Sequence, residues 1–179
     1  MPSDAKILIV DDHEGTLYAL ESALAPLGHR LARATSGDEA LKQVLRGQVG
    51  LLLLDVRMPG VSGLDVVGYL RRLEQTQHIP VLLVTGFGPD AETTSAAFAL
   101  GVADLVMKPV DPWSLRTKVR YLYDAHMRRL ALEAEVRELR ALLKDHPAAR
   151  PAPPQPGAHV PVQRDARNPA DTASARDRT

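Results

Sequence analysis

Asp55 closes the apolar run Leu51-Leu52-Leu53-Leu54 and is the residue best placed for chemistry. Asp11-Asp12 follow Ile7-Leu8-Ile9-Val10, Thr85 follows Val81-Leu82-Leu83-Val84, and Lys108 follows Leu105-Val106-Met107. A short continuous apolar run is the pattern of a strand buried on both faces of a parallel sheet. In open α/β sheets, functional groups collect at the carboxyl ends of the strands. Three carboxylates, one hydroxyl and one ammonium are therefore expected along one edge of one sheet. Such a set can hold a divalent metal ion and let a carboxylate accept a phosphoryl group.

Each member has a plainer reading alone. Asp11 and Asp12 repel one another unless a cation lies between them, and magnesium is the natural ion for oxygen ligands. Alternatively Asp12 caps the following helix and Asp11 is solvated. Asp55 precedes Val56-Arg57-Met58-Pro59-Gly60 and could be a turn residue or a nucleophile. Thr85 could bond a phosphoryl oxygen, but threonine is ordinary at a strand end. Lys108 could pair with Asp55 and then with phosphate, or lie on the surface. Their shared position at strand ends favours the joint reading. His13, beside the acidic pair, is expected to cap a helix or face solvent, and is left out of the site.

The elements that must position these residues alternate. Strand-like runs occupy Lys6–Val10, Arg30–Ala34, Gly50–Leu54, Pro80–Val84 and Asp104–Met107. Leu17, Leu20, Leu24 and Leu27 share a helix face that Pro26 and Gly28 terminate. Ser36 and Glu39 form an expected capping box before a stripe of Ala40, Leu41, Val44 and Leu45. Ser62 and Asp65 look like a weaker cap, opening a helix through Val66, Val67, Leu70 and Leu73. Pro89 to Leu100 reads as a short Ala-rich helix closed by Gly101. Asp111-Pro112 starts the last helix, with Trp113 expected to pack against the flank of the sheet. This alternation requires a parallel sheet, right-handed crossovers and helices on both faces.

The last helix runs past the expected end of the domain. No Gly or Pro interrupts it from Trp113 to Lys144. Leu115, Val119 and Leu122 are spaced four and three apart, and Leu132, Val136, Leu139 and Leu143 resume that spacing. Polar His126 and Arg129 interrupt the seam between them. The outer half reads as a short coiled coil, offset from the inner half, that would join two copies of the chain. The plainer alternative is one amphipathic helix packed on its own domain. From Pro147 the large apolar residues nearly vanish, so this tail is expected to be disordered.

The totals exclude several classes. Lys+Arg and Asp+Glu both number 22, so net charge points to neither nucleic acid nor a membrane surface. The chain has no cysteine, which removes disulfides and thiolate metal sites and fits a cytoplasmic location. No signal-peptide pattern is expected at the start, and no run approaches about 18 apolar residues.

Lys6-Ile7-Leu8-Ile9-Val10-Asp11-Asp12, Leu53-Leu54-Asp55-Val56-Arg57-Met58-Pro59-Gly60, Val84-Thr85-Gly86 and Met107-Lys108-Pro109 resemble the receiver domain of bacterial two-component response regulators. The resemblance covers roughly residues 4 to 124 and leaves 125–146 as a helical extension and 147–179 as tail. It implies a flavodoxin-like, doubly wound, five-stranded parallel sheet of order 2-1-3-4-5. It implies that Asp55 accepts a phosphoryl group from a histidine kinase or phosphotransfer protein. Asp12, Asp55 and the Arg57 carbonyl would hold Mg2+, with Asp11 acting through water, and Thr85 and Lys108 would bind the phosphoryl oxygens. The protein would not be an enzyme beyond catalysing its own phosphorylation and slow dephosphorylation. The Lys108-Pro109 bond is often cis in this family.

Three features depart from the family pattern. Leu105 stands where the family usually has Tyr or Phe, which puts the usual coupling of that ring to the threonine in doubt. Arg57 and Phe87 flank the site and suggest a slowly decaying phosphoryl state. No helix-turn-helix pattern follows the receiver, so output through protein–protein contact is expected, without direct DNA binding. Two other classes fare worse. A dehalogenase-type phosphatase needs an acid two residues after the nucleophile, where Arg57 stands. A flavodoxin-like electron carrier needs a phosphate-cradling loop, where Asp11-Asp12-His13-Glu14 is acidic.

Overall fold

The computed structural model describes residues 5–86 and 91–145. Five strands, β1 (Lys6–Val10), β2 (Leu31–Ala34), β3 (Val49–Asp55), β4 (Val81–Thr85) and β5 (Asp104–Met107), form one sheet. Their order is β2-β1-β3-β4-β5, and every pair is parallel. The helices are α1 (Glu14–Leu24), α2 (Gly37–Leu45), α3 (Gly63–Arg71), α4 (Ala91–Ala99) and α5 (Pro112–Asp145). The alternating pattern required the parallel sheet, and this is the doubly wound, flavodoxin-like order that the resemblance implied.

The two-residue period of a strand splits the core into two layers. Leu8, Val10, Leu52, Leu54, Val81 and Leu83 face α2, α3 and α4. Ile7, Ile9, Leu51, Leu53, Leu82 and Val84 face the other way, against Leu17, Leu20 and Leu24 of α1 and Leu115 and Val119 of α5. Leu51 to Leu54 are all fully buried, each contributing about 1.5–3 kcal/mol. That continuous burial is why β3 reads as an unbroken apolar run.

Several local expectations are corrected. The first helix ends at Leu24 and tightens into a 3-10 turn over Ala25–Leu27, which Gly28 closes at positive φ. The Ser36 hydroxyl accepts from the Glu39 amide, but the Glu39 carboxylate takes the Thr35 amide and hydroxyl instead of closing a box. The complete capping box is at Ser62 and Asp65, the pair that looked weaker. Leu45 and Leu73 are exposed and line a shallow apolar groove between α2 and α3 with Leu41 and Tyr69. Trp113 is 70% exposed and does not pack on the sheet. At about 100° per residue it lies nearly opposite Leu115, which is fully buried. Asp111 caps α5 as expected, accepting from the Ser114 amide at 2.7 Å. Pro89, Phe87 and residues 147–179 lie outside the described residues.

Candidate functional site

Strand register brings the chemistry-bearing residues together. Val10 is the partner of Leu54, so the next residues, Asp11 and Asp55, emerge side by side. Thr85 is the partner of Met107, so Lys108 emerges one step beyond Thr85. Asp11 and Asp55 also flank the gap between β1 and β3, where the strand order reverses and open α/β sheets form their crevice.

The contacts are close. The Lys108 Nζ donates to Asp11 Oδ2 at 2.7 Å and to Asp55 Oδ1 at 2.8 Å. The second Asp55 oxygen accepts from the Arg57 amide at 3.0 Å. The second Asp11 oxygen accepts from the His13 amide at 2.9 Å. Asp11 is fully buried, and Asp55 and Thr85 are nearly so. The Lys108 amide donates to the Thr85 carbonyl at 2.7 Å, which ties the two strand ends together. The Lys108-Pro109 bond is cis. Beneath the site, Gly63 approaches the Asp55 carbonyl so closely that an added Cβ would lie 2.2 Å from its oxygen. The start of α3 thus presses against the backbone that carries Asp55.

Electrostatics follow from this geometry. Burial pushes the Asp55 carboxyl up, and Asp11 adds to the rise, against the opposing pull of Lys108 and the Arg57 amide. Burial works against the Lys108 ammonium, but its bonds to Asp11 and Asp55 prevail and hold its pKa above the ordinary value. One ammonium thus serves two buried carboxylates. Asp12 is partly exposed, and its ligand oxygen lies within 4.8 Å of a carboxylate oxygen of Asp11 and a ring nitrogen of His13. Carboxylates in excess of the local cation suit a hard divalent ion with oxygen ligands.

His13, which the sequence reading left out of the site, stands beside the acidic pair. It occupies the N-cap position of α1 without a side-chain cap, and its ring lies 3.1 Å from Asp12. Its ring is largely exposed, as expected. The Arg57 side chain is exposed, whereas its amide faces Asp55. Leu105 is half-buried in β5.

The site is thus two buried aspartates and a lysine at the carboxyl edge of a doubly wound parallel sheet. The model of the response regulator receiver domain matches residues 7–120, and the chain belongs to that family. It is 34% identical over 120 residues to the transcriptional regulatory protein AfsQ1 of Streptomyces coelicolor, covering 67% of this chain and 50% of that protein. It is 39% identical over 114 residues to the cyclic di-GMP phosphodiesterase response regulator RpfG of Xanthomonas campestris, covering 63% of this chain and 30% of that protein. The chain therefore spans half or less of the length of these curated relatives. Among solved structures, a response regulator receiver protein from Pseudomonas putida is 31% identical, with TM-score 0.60 over 65% of this chain and 96% of that one. The chemotaxis protein CheY4 of Vibrio cholerae is 26% identical, with TM-score 0.62 over 66% and 98%. No helix among the described residues is long and apolar enough to cross a membrane.

Proposed function

We propose that this receiver accepts a phosphoryl group on Asp55 from a phosphohistidine of a sensor kinase or phosphotransfer protein. The observation that carries the reading is the Lys108 ammonium bridging Asp11 and Asp55. An Asp55 oxygen attacks phosphorus as the P–N bond to the donor imidazole breaks. The imidazole departs neutral after taking up a proton. Lys108 already lies against the nucleophile and can transfer its hydrogen bond to a phosphoryl oxygen. The Thr85 hydroxyl, at the neighbouring strand end, takes a second. Phosphoryl transfer depends on such positioning and charge neutralisation more than on covalent help from the protein.

Asp12, Asp55 and the Arg57 carbonyl would hold Mg2+, and Asp11 would act through a bound water. The ion supplies positive charge to the phosphoryl oxygens when bound. Asp11, fully buried and held by Lys108 and the His13 amide, fixes the shape of that pocket.

The output is contact with protein rather than with nucleic acid, and it includes self-association through the outer part of α5. The domain is regulatory, with no turnover beyond its own phosphoryl group. Leu105 removes the aromatic ring that usually accompanies the threonine, so the signal leaves through the 86–101 region or through α5. Labelling with a small-molecule phosphodonor and Mg2+, with mass read by light scattering, tests this. Wild type should label and change mass, and Asp55→Asn should do neither. Labelling that survives in Asp55→Asn would sink the assignment of the acceptor. Labelling without a change of mass would point to a phosphotransfer role or a constitutive oligomer.

A further inference from the structure

The outer part of α5 presents a stripe that its own domain does not cover. From Ala131 to Lys144 every residue is exposed. Leu132, Val136, Leu139, Leu142 and Leu143 are 44% to 74% exposed. At about 100° per residue, Leu132, Val136, Leu139 and Leu143 fall within roughly 60° of one another, with Tyr121 and Ala125 in the same band. Leu115, Val119 and His126, which are buried, lie roughly a third of a turn away. The stripe is therefore not an overrun of the domain-facing side. It is a separate face, continuous with exposed Tyr121.

The charges beside the stripe say what covers it. With Leu132 and Leu139 at d and Val136 and Leu143 at a, Glu133 and Arg140 fall at e, and Arg128 and Glu135 at g. In a parallel, in-register pair, each g residue meets the e residue five positions later on the other helix. Arg128 then meets Glu133 of the second copy, and Glu135 meets Arg140, each twice by symmetry. An antiparallel pair centred on the same apolar residues keeps Glu133 against Arg140 but sets Glu135 against Leu142. Both members of each attractive pair come from this one segment, so the face is complementary to itself. Arg129 would lie on the seam near the domain, where its own Glu133 accepts its hydrogen bond at 2.7 Å.

We infer that residues 128–143 form a parallel, in-register two-stranded coiled coil with a second copy of this chain, set by Arg128–Glu133 and Glu135–Arg140 pairs. The inference rests on the proposed self-association and adds its direction, register and determinants. A parallel seam places both receiver domains at the same end of the coil. It brings the side of α5 that carries Tyr121 and Lys118 toward the two-fold axis, and Lys118 is the residue that pairs with Asp104 of β5.

Single cysteines test the direction, because the chain has none of its own. Leu139→Cys should give a covalent dimer under mild oxidation in the full chain treated with phosphodonor and Mg2+. Glu135→Arg alone and Arg140→Glu alone should each weaken association several-fold, and mixing the two variants should restore it. Linkage only in a mixture of Val136→Cys and Leu139→Cys proteins would mean antiparallel helices; the dimer would stand and this inference would fall. Charge variants that associate as tightly as wild type would overturn the pairs that set the register. A monomer at every concentration, in both phosphorylation states, would remove the self-association itself.

Discussion

Lys108 is the residue on which the site balances. Its Nζ bonds two carboxylates, one fully buried and one nearly so. Removing one partner of a buried charge set costs far more than the set contributes, because the remaining charges lose their solvent and their partner together. Lys108→Met should therefore lose roughly 3 kcal/mol of stability in the absence of divalent metal. Mg2+ should recover more stability in the variant than in wild type, since a cation among the carboxylates replaces the lost ammonium. The pH dependence has a definite sign. Asp55 has a folded pKa above its ordinary value. A carboxyl of that kind binds its proton more readily when folded, so stability rises as pH falls through the folded pKa. That rise should be steeper in Lys108→Met. Urea unfolding with and without Mg2+, repeated at several acidic pH values, measures all three quantities, and an equal Mg2+ gain in the two proteins would remove the metal from this pocket. At this scale the site was legible because strand ends in a parallel sheet are readable from apolar runs, and register does the rest. What was not legible depended on reach. Glu39 is one methylene longer than Asp65 and overshoots the Ser36 amide to Thr35, whereas Asp65 closes on Ser62. Trp113 misled because its apolar bulk suggested burial, while its angular position on α5 puts it in solvent.

At the scale of elements, α5 is two helices in one. Its inner half is held by the sheet and α1, with the Arg116 guanidinium donating to the Ala23 carbonyl and the Tyr123 hydroxyl donating to the Ala5 carbonyl. His126 is the last buried residue before the helix leaves the domain. Burial lowers its pKa, Arg129 and His78 lower it further, and Glu133 opposes them. These are charges of α5 itself and of the segment between α3 and β4. A histidine whose folded pKa lies below its unfolded value contributes stability that is present above the unfolded value, about 6.5. That stability is lost as pH falls toward the lower folded value, because the unfolded chain takes up the proton first. Stability should fall as pH drops through the unfolded value of about 6.5, and His126→Leu should flatten that part of the profile. Denaturant titrations followed by circular dichroism across this range check it, and an unchanged slope in His126→Leu would assign the dependence elsewhere. The break in hydrophobic spacing at His126 and Arg129 was visible in the sequence. The burial of His126 was not, because a polar residue at a seam position reads as an interruption.

The described residues form a packed receiver followed by a helix whose outer part gains no support from the domain. Residues 131–144 touch water on every side, and an isolated helix of about 12–15 residues is marginal even with strong helix formers. The proposed association with a second copy would offset the ordering of that segment by burying the leucine stripe. Any partner that binds the folded chain alone adds stability in proportion to the logarithm of its concentration. At a hundredfold excess over the dissociation constant the gain is about 2.7 kcal/mol. The melting temperature of the wild-type protein should therefore rise with protein concentration. Leu139→Glu places like charges on the seam and should abolish that rise. It lies about 20 Å of helix beyond His126, clear of the acceptor pocket, so the variant should still be labelled on Asp55. Coupling between the two events is reciprocal in free energy. If phosphorylation tightens the dimer by some factor, dimerisation must favour the phosphorylated form by the same factor. Melting curves taken over a hundredfold range of concentration, with and without phosphodonor, read both halves of that equality. A wild-type melting temperature independent of concentration in both states would leave the exposed stripe to a different partner and would separate the phosphoacceptor site from the extension.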